Sequence, residues 1–215
     1  MNLGGPEQAK YDAAGRMLRN FLAGRRAENQ PKYSWEDLCA ESGKDPAARA
    51  AQKAYYLRKS IEDRAAEKLR VMEDVFRLHA GERVIVFAGS NAMAIDVSRR
   101  FLIPTLLSHS RKKERRLVLE GFAAGTFPAL VANRVLDEGV DVPAAKVAVI
   151  LGGQSSTRQA KQRLGRILRK SGDARAVLYE VVCQDTNDEK RSRKRRRSDA
   201  FDKVKRGKRP IDPGP

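Results

Sequence analysis

Residues 159–170 read QAKQRLGRILRK, and three of these side chains could do chemistry as a group. Helical spacing puts Gln162, Arg166 and Arg169 at i, i+4 and i+7, hence on one face, with Gly165 beside them. Two guanidinium groups aimed the same way can fork onto phosphate oxygens, because the group is planar and always charged. Glycine inside a helix costs about 1 kcal/mol relative to alanine, so Gly165 points to something approaching the backbone closely. Ala160, Leu164, Ile167 and Leu168 share another stripe that would pack inward. Taken alone, the stretch reads first as an ordinary amphipathic surface helix.

A second candidate is LDEGVDVP, residues 136–143, where Asp137, Glu138 and Asp141 crowd three carboxylates into five positions. Asp and Gly build turns, and Pro143 can start the next strand, so turn chemistry is one reading. The other is a loop in which Gly139 lets a nucleotide or polyanion approach the backbone and Asp141 accepts hydrogen bonds from ribose hydroxyls.

The elements that would hold these residues are legible from periodicity. From Arg83 onward short apolar runs (RVIVFA, PTLLS, PALVAN, KVAVIL, RAVLYEVV) alternate with amphipathic stretches (NAMAIDVSRRFL, RKKERRLVLEGF and the arginine stretch). That alternation predicts an α/β fold, with a buried, mostly parallel sheet flanked by helices. In such folds ligands sit beyond the carboxyl ends of the strands, here the loops after Phe87, Leu107, Ala132 and Leu151. Residues 7–79 read as helical: a first helix ending at Gly24, a Ser34 cap with Asp37 three residues on, and one long helix from about Pro46 to His79.

Composition narrows the function classes. The 215 residues carry a net charge of +17; residues 190–209 hold twelve Lys/Arg against two Asp, leaving about +7 for the rest. A basic body with a more basic tail favours polyanion partners, nucleic acid foremost, although a charge run alone is also just a solvated segment. Cys39 and Cys183 stand 144 positions apart, with only His79 and His109 to help, so no metal site is expected, and isolated thiols fit a reducing compartment. No signal peptide or membrane-length apolar run is seen, so a soluble intracellular protein is expected and no membrane partner.

Read together, VIVFAGS, LLSHSRKKERRLVLEGF, ALVANRVLDEGVDVP and QAKQRLGRILRK resemble, in order and spacing, the C-terminal motor lobe of superfamily 2 helicases. Within that superfamily the sequence most resembles the XPB family of DNA-repair and transcription helicases. The resemblance covers residues 83–182, and the preceding helices resemble that family's linker and thumb-like element. It implies a RecA-like lobe over 81–184, an all-helical N-terminal extension over 1–80, and a basic, disordered tail over 185–215.

The resemblance also implies roles. Arg166 and Arg169 would be arginine fingers for ATP bound on an opposing lobe, and Gln162 would orient the same helix face. Glu138, Gly139 and Asp141 would form the nucleotide-side loop that couples to DNA. Phe87 and Gly89 would open the lobe's first strand-loop motif. Gly89, Ser108, His109, Ser110, Arg115 and Asn133 would lie along the nucleic-acid backbone, where hydroxyls, a helix N-terminus and a cation suit phosphate without base readout. Two departures stand out: Ala132 and Asn133 occupy a place where many members carry Thr or Ser, and LSHS replaces a Gly-Lys-Thr-like stretch. His109 reads as a surface or backbone-contacting residue rather than a catalyst.

No GxxxxGK(S/T) motif and no DExH or DEAD tetrapeptide occurs, so the phosphate cradle and the magnesium carboxylate are missing. The expectation is half of a 3′–5′ DNA helicase or translocase, inactive until an N-terminal RecA-like lobe, on the same parent chain or a separate subunit, brings ATP and Mg²⁺. DNA is the expected partner, with a nuclease or repair protein as a further one. The expected location is the cytoplasm or nucleoid of a prokaryote, or the nucleus of a nucleated cell. A non-catalytic nucleic-acid-binding or docking module, and an RNA helicase lobe, remain alternatives.

Overall fold

A computed structural model describes residues 1–27, 33–133, 145–152 and 176–193. The chain divides into two compact units, residues 2–67 and a second made of Met1 with everything from Lys68 onward.

The first unit is helical: α1 (Gly5–Ala27), α2 (Trp35–Glu41) and α3 (Pro46–Arg64). Buried alanines at 48, 51 and 54 give α3 a flat face on which α1 packs. The Tyr11 hydroxyl donates to the buried Glu62 carboxylate at 2.6 Å, and the Arg58 guanidinium lies 4.1 Å from the Tyr11 ring centroid. Ser34 and Asp37 form the expected reciprocal cap of α2, and Asp45 caps α3 ahead of Pro46. Two expectations fail here. Helix α1 runs through Gly24 instead of ending there. The single long helix from Pro46 to His79 is broken at Ala65, whose φ/ψ of −50°/128° is extended at ψ, and α4 (Ala66–Leu78) begins anew. The Ala66 N–H is turned out of the ladder and donates to Glu7 Oε1 at 3.1 Å. Periodicity cannot see such a break, because Ile61, Ala65, Leu69, Met72 and Phe76 keep their spacing across it.

In the second unit β1 (Val84–Phe87), β2 (Thr105–Leu106), β3 (Ala129–Ala132), β4 (Val147–Ile150) and β5 (Val177–Glu180) form one all-parallel sheet in the order β2-β3-β1-β4-β5. Helix α5 (Asn91–Phe101) joins β1 to β2, and α6 (Lys112–Ala123) joins β2 to β3. Alternation within the strands sorts the core into two layers. Val84, Val86, Val131, Val147 and Val149 face Met72 and Val75 of α4 and Met93, Ala94 and Val97 of α5. Ile85, Leu106, Leu130 and Ala132 face Phe122 of α6. Buried on both faces, β1, β3 and β4 show continuous apolar runs, which is the pattern that predicts an α/β fold from sequence.

The unit boundary at Glu67/Lys68 assigns all but the first two residues of α4 to the lobe, whereas the resemblance implies an extension reaching residue 80. The expected tail also starts later than residue 185: Thr186, Asp188 and Ser192 are buried, and residues 187–193 are helical. The remainder of that tail lies outside the described residues.

Candidate nucleic-acid and nucleotide interface

Because all five strands run parallel, the loops after β1, β2, β3 and β4 leave from one edge of the sheet. That edge gathers the described candidates.

After β1, Gly89 leads into Ser90, whose hydroxyl caps α5 by accepting from the Met93 N–H at 3.2 Å. After β3, Asn133 donates its backbone N–H to the Leu106 carbonyl at 3.0 Å, which ties the end of β3 to the end of β2. Its side-chain Nδ2 donates to Asn91 Oδ1 at 2.8 Å, in the first turn of α5. Asn133 is thus brought against Asn91, two residues after Gly89. It is only 7% exposed, however, and among the described residues its buried Oδ1 has no hydrogen-bond partner. Such an orphaned acceptor is costly unless something donates to it.

After β2 the chain makes a tight turn through Leu107, Ser108, His109 and Ser110. Ser110 N–H donates to the Leu107 carbonyl at 3.0 Å, and Leu107 N–H donates to Ser110 Oγ at 3.1 Å. Ser108 and His109 are exposed at its tip. Arg115, one turn into α6, does not project from the surface as a free cation. Its Nε donates to the Ser110 carbonyl at 3.0 Å, and its Nη2 donates to the carbonyls of Ser108 at 2.9 Å and Leu107 at 3.5 Å.

The end of β4 carries the feature that sequence reasoning missed. Lys68, on the inward face of α4, is 0% exposed; its ammonium donates to the Leu151 carbonyl at 2.6 Å and pairs with Asp188, 1% exposed, at 3.2 Å. Asp188 also accepts from the Cys183 N–H at 3.3 Å and pairs with Arg191 at 3.4 Å. Thr186 completes the turn, donating its hydroxyl to the Cys183 carbonyl. The only sequence signal was a lysine four residues before Met72 on an apolar stripe; its partner is 120 positions away, in a stretch that looks like the root of a tail.

At the opposite edge, Lys146 and His79 hydrogen-bond Glu82 and hold its carboxyl below the usual carboxylate range. The remaining expected site residues, Gln162, Arg166, Arg169, Glu138, Gly139 and Asp141, lie outside the described residues. Among the described residues no three His, Cys, Asp or Glu side chains converge to hold a metal ion, and no helix is long and apolar enough to cross a membrane.

Comparison with known proteins fits this arrangement. Residues 67–171 match the helicase conserved C-terminal domain. The chain is 36% identical over 196 residues to the DNA 3′–5′ translocase XPB2 of Sulfurisphaera tokodaii, covering 91% of this chain and 44% of that protein. It is 36% identical over 124 residues to the DNA 3′–5′ helicase XPB of Kineococcus radiotolerans, covering 57% of this chain and 22% of that one. The chain therefore spans less than half the length of these relatives. Among solved structures it is similar in fold to the C-terminal part of the Fun30 ATPase domain, with a TM-score of 0.62 at 11% identity, covering 89% of this chain and 86% of that one. It is likewise similar to the C-terminal domain of the DEAD-box protein Dbp5, with a TM-score of 0.56 at 19% identity, covering 65% and 82%. The parallel sheet, the matched domain model and the relatives converge on one conclusion: residues 67–171 carry a helicase conserved C-terminal domain with a RecA-like fold, homologous to the XPB DNA helicases and translocases.

Proposed function

We propose that the chain is the C-terminal half of an ATP-dependent DNA motor moving 3′ to 5′, in DNA repair or transcription. The similarity over 196 residues to a protein named as a DNA 3′–5′ translocase carries this reading. In it, Arg166 and Arg169 reach the phosphates of ATP bound by an N-terminal lobe, and Gln162 orients their helix. Glu138, Gly139 and Asp141 line the nucleotide side, and that lobe holds the Mg²⁺. The edge formed by Gly89, Ser108, His109, Ser110 and Asn133 forms part of the DNA track. Arginine adds fixed positive charge where the phosphoryl-transfer transition state spreads negative charge, an effect worth on the order of 10³ or more in rate.

Phosphate release from ATP, with duplex DNA present, tests the reading. The chain alone gives background hydrolysis, and adding an N-terminal lobe that carries GxxxxGK(S/T) and DExH restores DNA-stimulated turnover. Efficient hydrolysis by the chain alone would overturn it. So would a restored motor that responds to RNA and not to DNA, or a chain that binds DNA yet complements no such lobe.

A further inference from the structure

We infer that Arg115 is a positioning residue: it fixes the Ser108–Ser110 turn so that the turn's backbone amides receive a phosphate, and its guanidinium does not touch the nucleic acid. This rests on the DNA-track reading above.

Three donations from one guanidinium, to the carbonyls of residues 107, 108 and 110, turn those oxygens toward α6. In a trans peptide the C=O and the following N–H point in opposite directions. Drawing the Ser108 carbonyl onto Arg115 therefore turns the His109 N–H away from it. The Leu107 carbonyl, which also accepts from Ser110 N–H, likewise turns the Ser108 N–H away. Neither N–H has a hydrogen-bond partner among the described residues. Both belong to exposed residues, and the Ser108 hydroxyl stands with them. Successive outward N–H groups form a concavity that suits an anion, and with the carbonyls withdrawn no oxygen lone pairs face a phosphate there. Lysine cannot replace this arrangement, because it offers a point charge where the turn needs a planar fork reaching carbonyls at three positions.

The test uses the full chain and a short fluorescein-labelled DNA duplex, titrated at several salt concentrations, with amide hydrogen exchange measured in parallel. Arg115→Lys and Arg115→Met are expected to speed exchange at the Leu107 and Ser110 amides with the melting temperature unchanged. Both are expected to weaken duplex binding about fivefold while leaving the salt slope as in the wild type. Lys113→Gln removes an equal charge from the same helix without touching the turn, and is expected to leave exchange at 107–110 unchanged. The inference is overturned if Arg115→Lys restores wild-type binding and Arg115→Met lowers the slope by about 0.9, since that is the signature of a direct phosphate contact. It is also overturned if exchange at 107–110 does not move. If the wild-type chain fails to bind the duplex, the DNA-track reading falls, and the exchange measurement still decides whether Arg115 holds the turn.

Discussion

Lys68 shows how much depends on one side chain at the candidate edge. A fully buried ammonium is tolerable only because the Leu151 carbonyl and the Asp188 carboxylate replace its water. Lys68→Met leaves Asp188 buried with only the Cys183 N–H and Arg191 as partners among the contacts described, and is expected to destabilise the chain by about 3–5 kcal/mol in urea unfolding. Lys68→Met with Asp188→Leu removes both charges and is expected to recover most of that loss; a double variant no more stable than the single one would mean that the pair is not the anchor described. This pair was illegible in the sequence because burial is a property of tertiary contact: nothing local marks Asp188 as the partner of a residue 120 positions earlier. Arg115 was legible as a cation near the right loop, but not as one already committed to that loop's carbonyls. Gln162, Arg166 and Arg169 are grouped by helical spacing and charge type alone, and they lie outside the described residues.

Among the elements, the strands were read most easily, since burial on both faces writes itself as unbroken Val, Ile, Leu and Ala runs. Helix ends were harder, because glycine is a weak signal whose effect depends on its surroundings. Gly24 sits inside α1 with open space where a Cβ would go, so helix packing overrides its cost of about 1 kcal/mol. Gly121 sits inside α6, where a Cβ would lie 2.5 Å from the Phe127 ring. The two glycines should therefore respond oppositely to alanine. Gly24→Ala is expected to stabilise by up to about 1 kcal/mol through helix propensity, and Gly121→Ala to destabilise by about 1–3 kcal/mol by displacing Phe127. Thermal unfolding of the two variants checks this, and the account of Gly121 is wrong if both gain stability.

For the whole molecule, the absence of GxxxxGK(S/T) and DExH from the sequence and the finger role proposed for Arg166 and Arg169 belong together. In that proposal the fingers work only against a complementary lobe, which is why the chain's similarity to less than half of its relatives' length bears on mechanism. The most direct test is the ATP turnover of the chain complemented by its N-terminal lobe, measured with Arg169→Ala and Arg166→Ala at saturating duplex DNA. Loss of kcat on the order of 10³ for either variant, with DNA affinity unchanged, is the predicted result. Variants that turn over ATP at the wild-type rate would show that these arginines are only a solvated helix face, and that the chain is not the finger-bearing half of a motor.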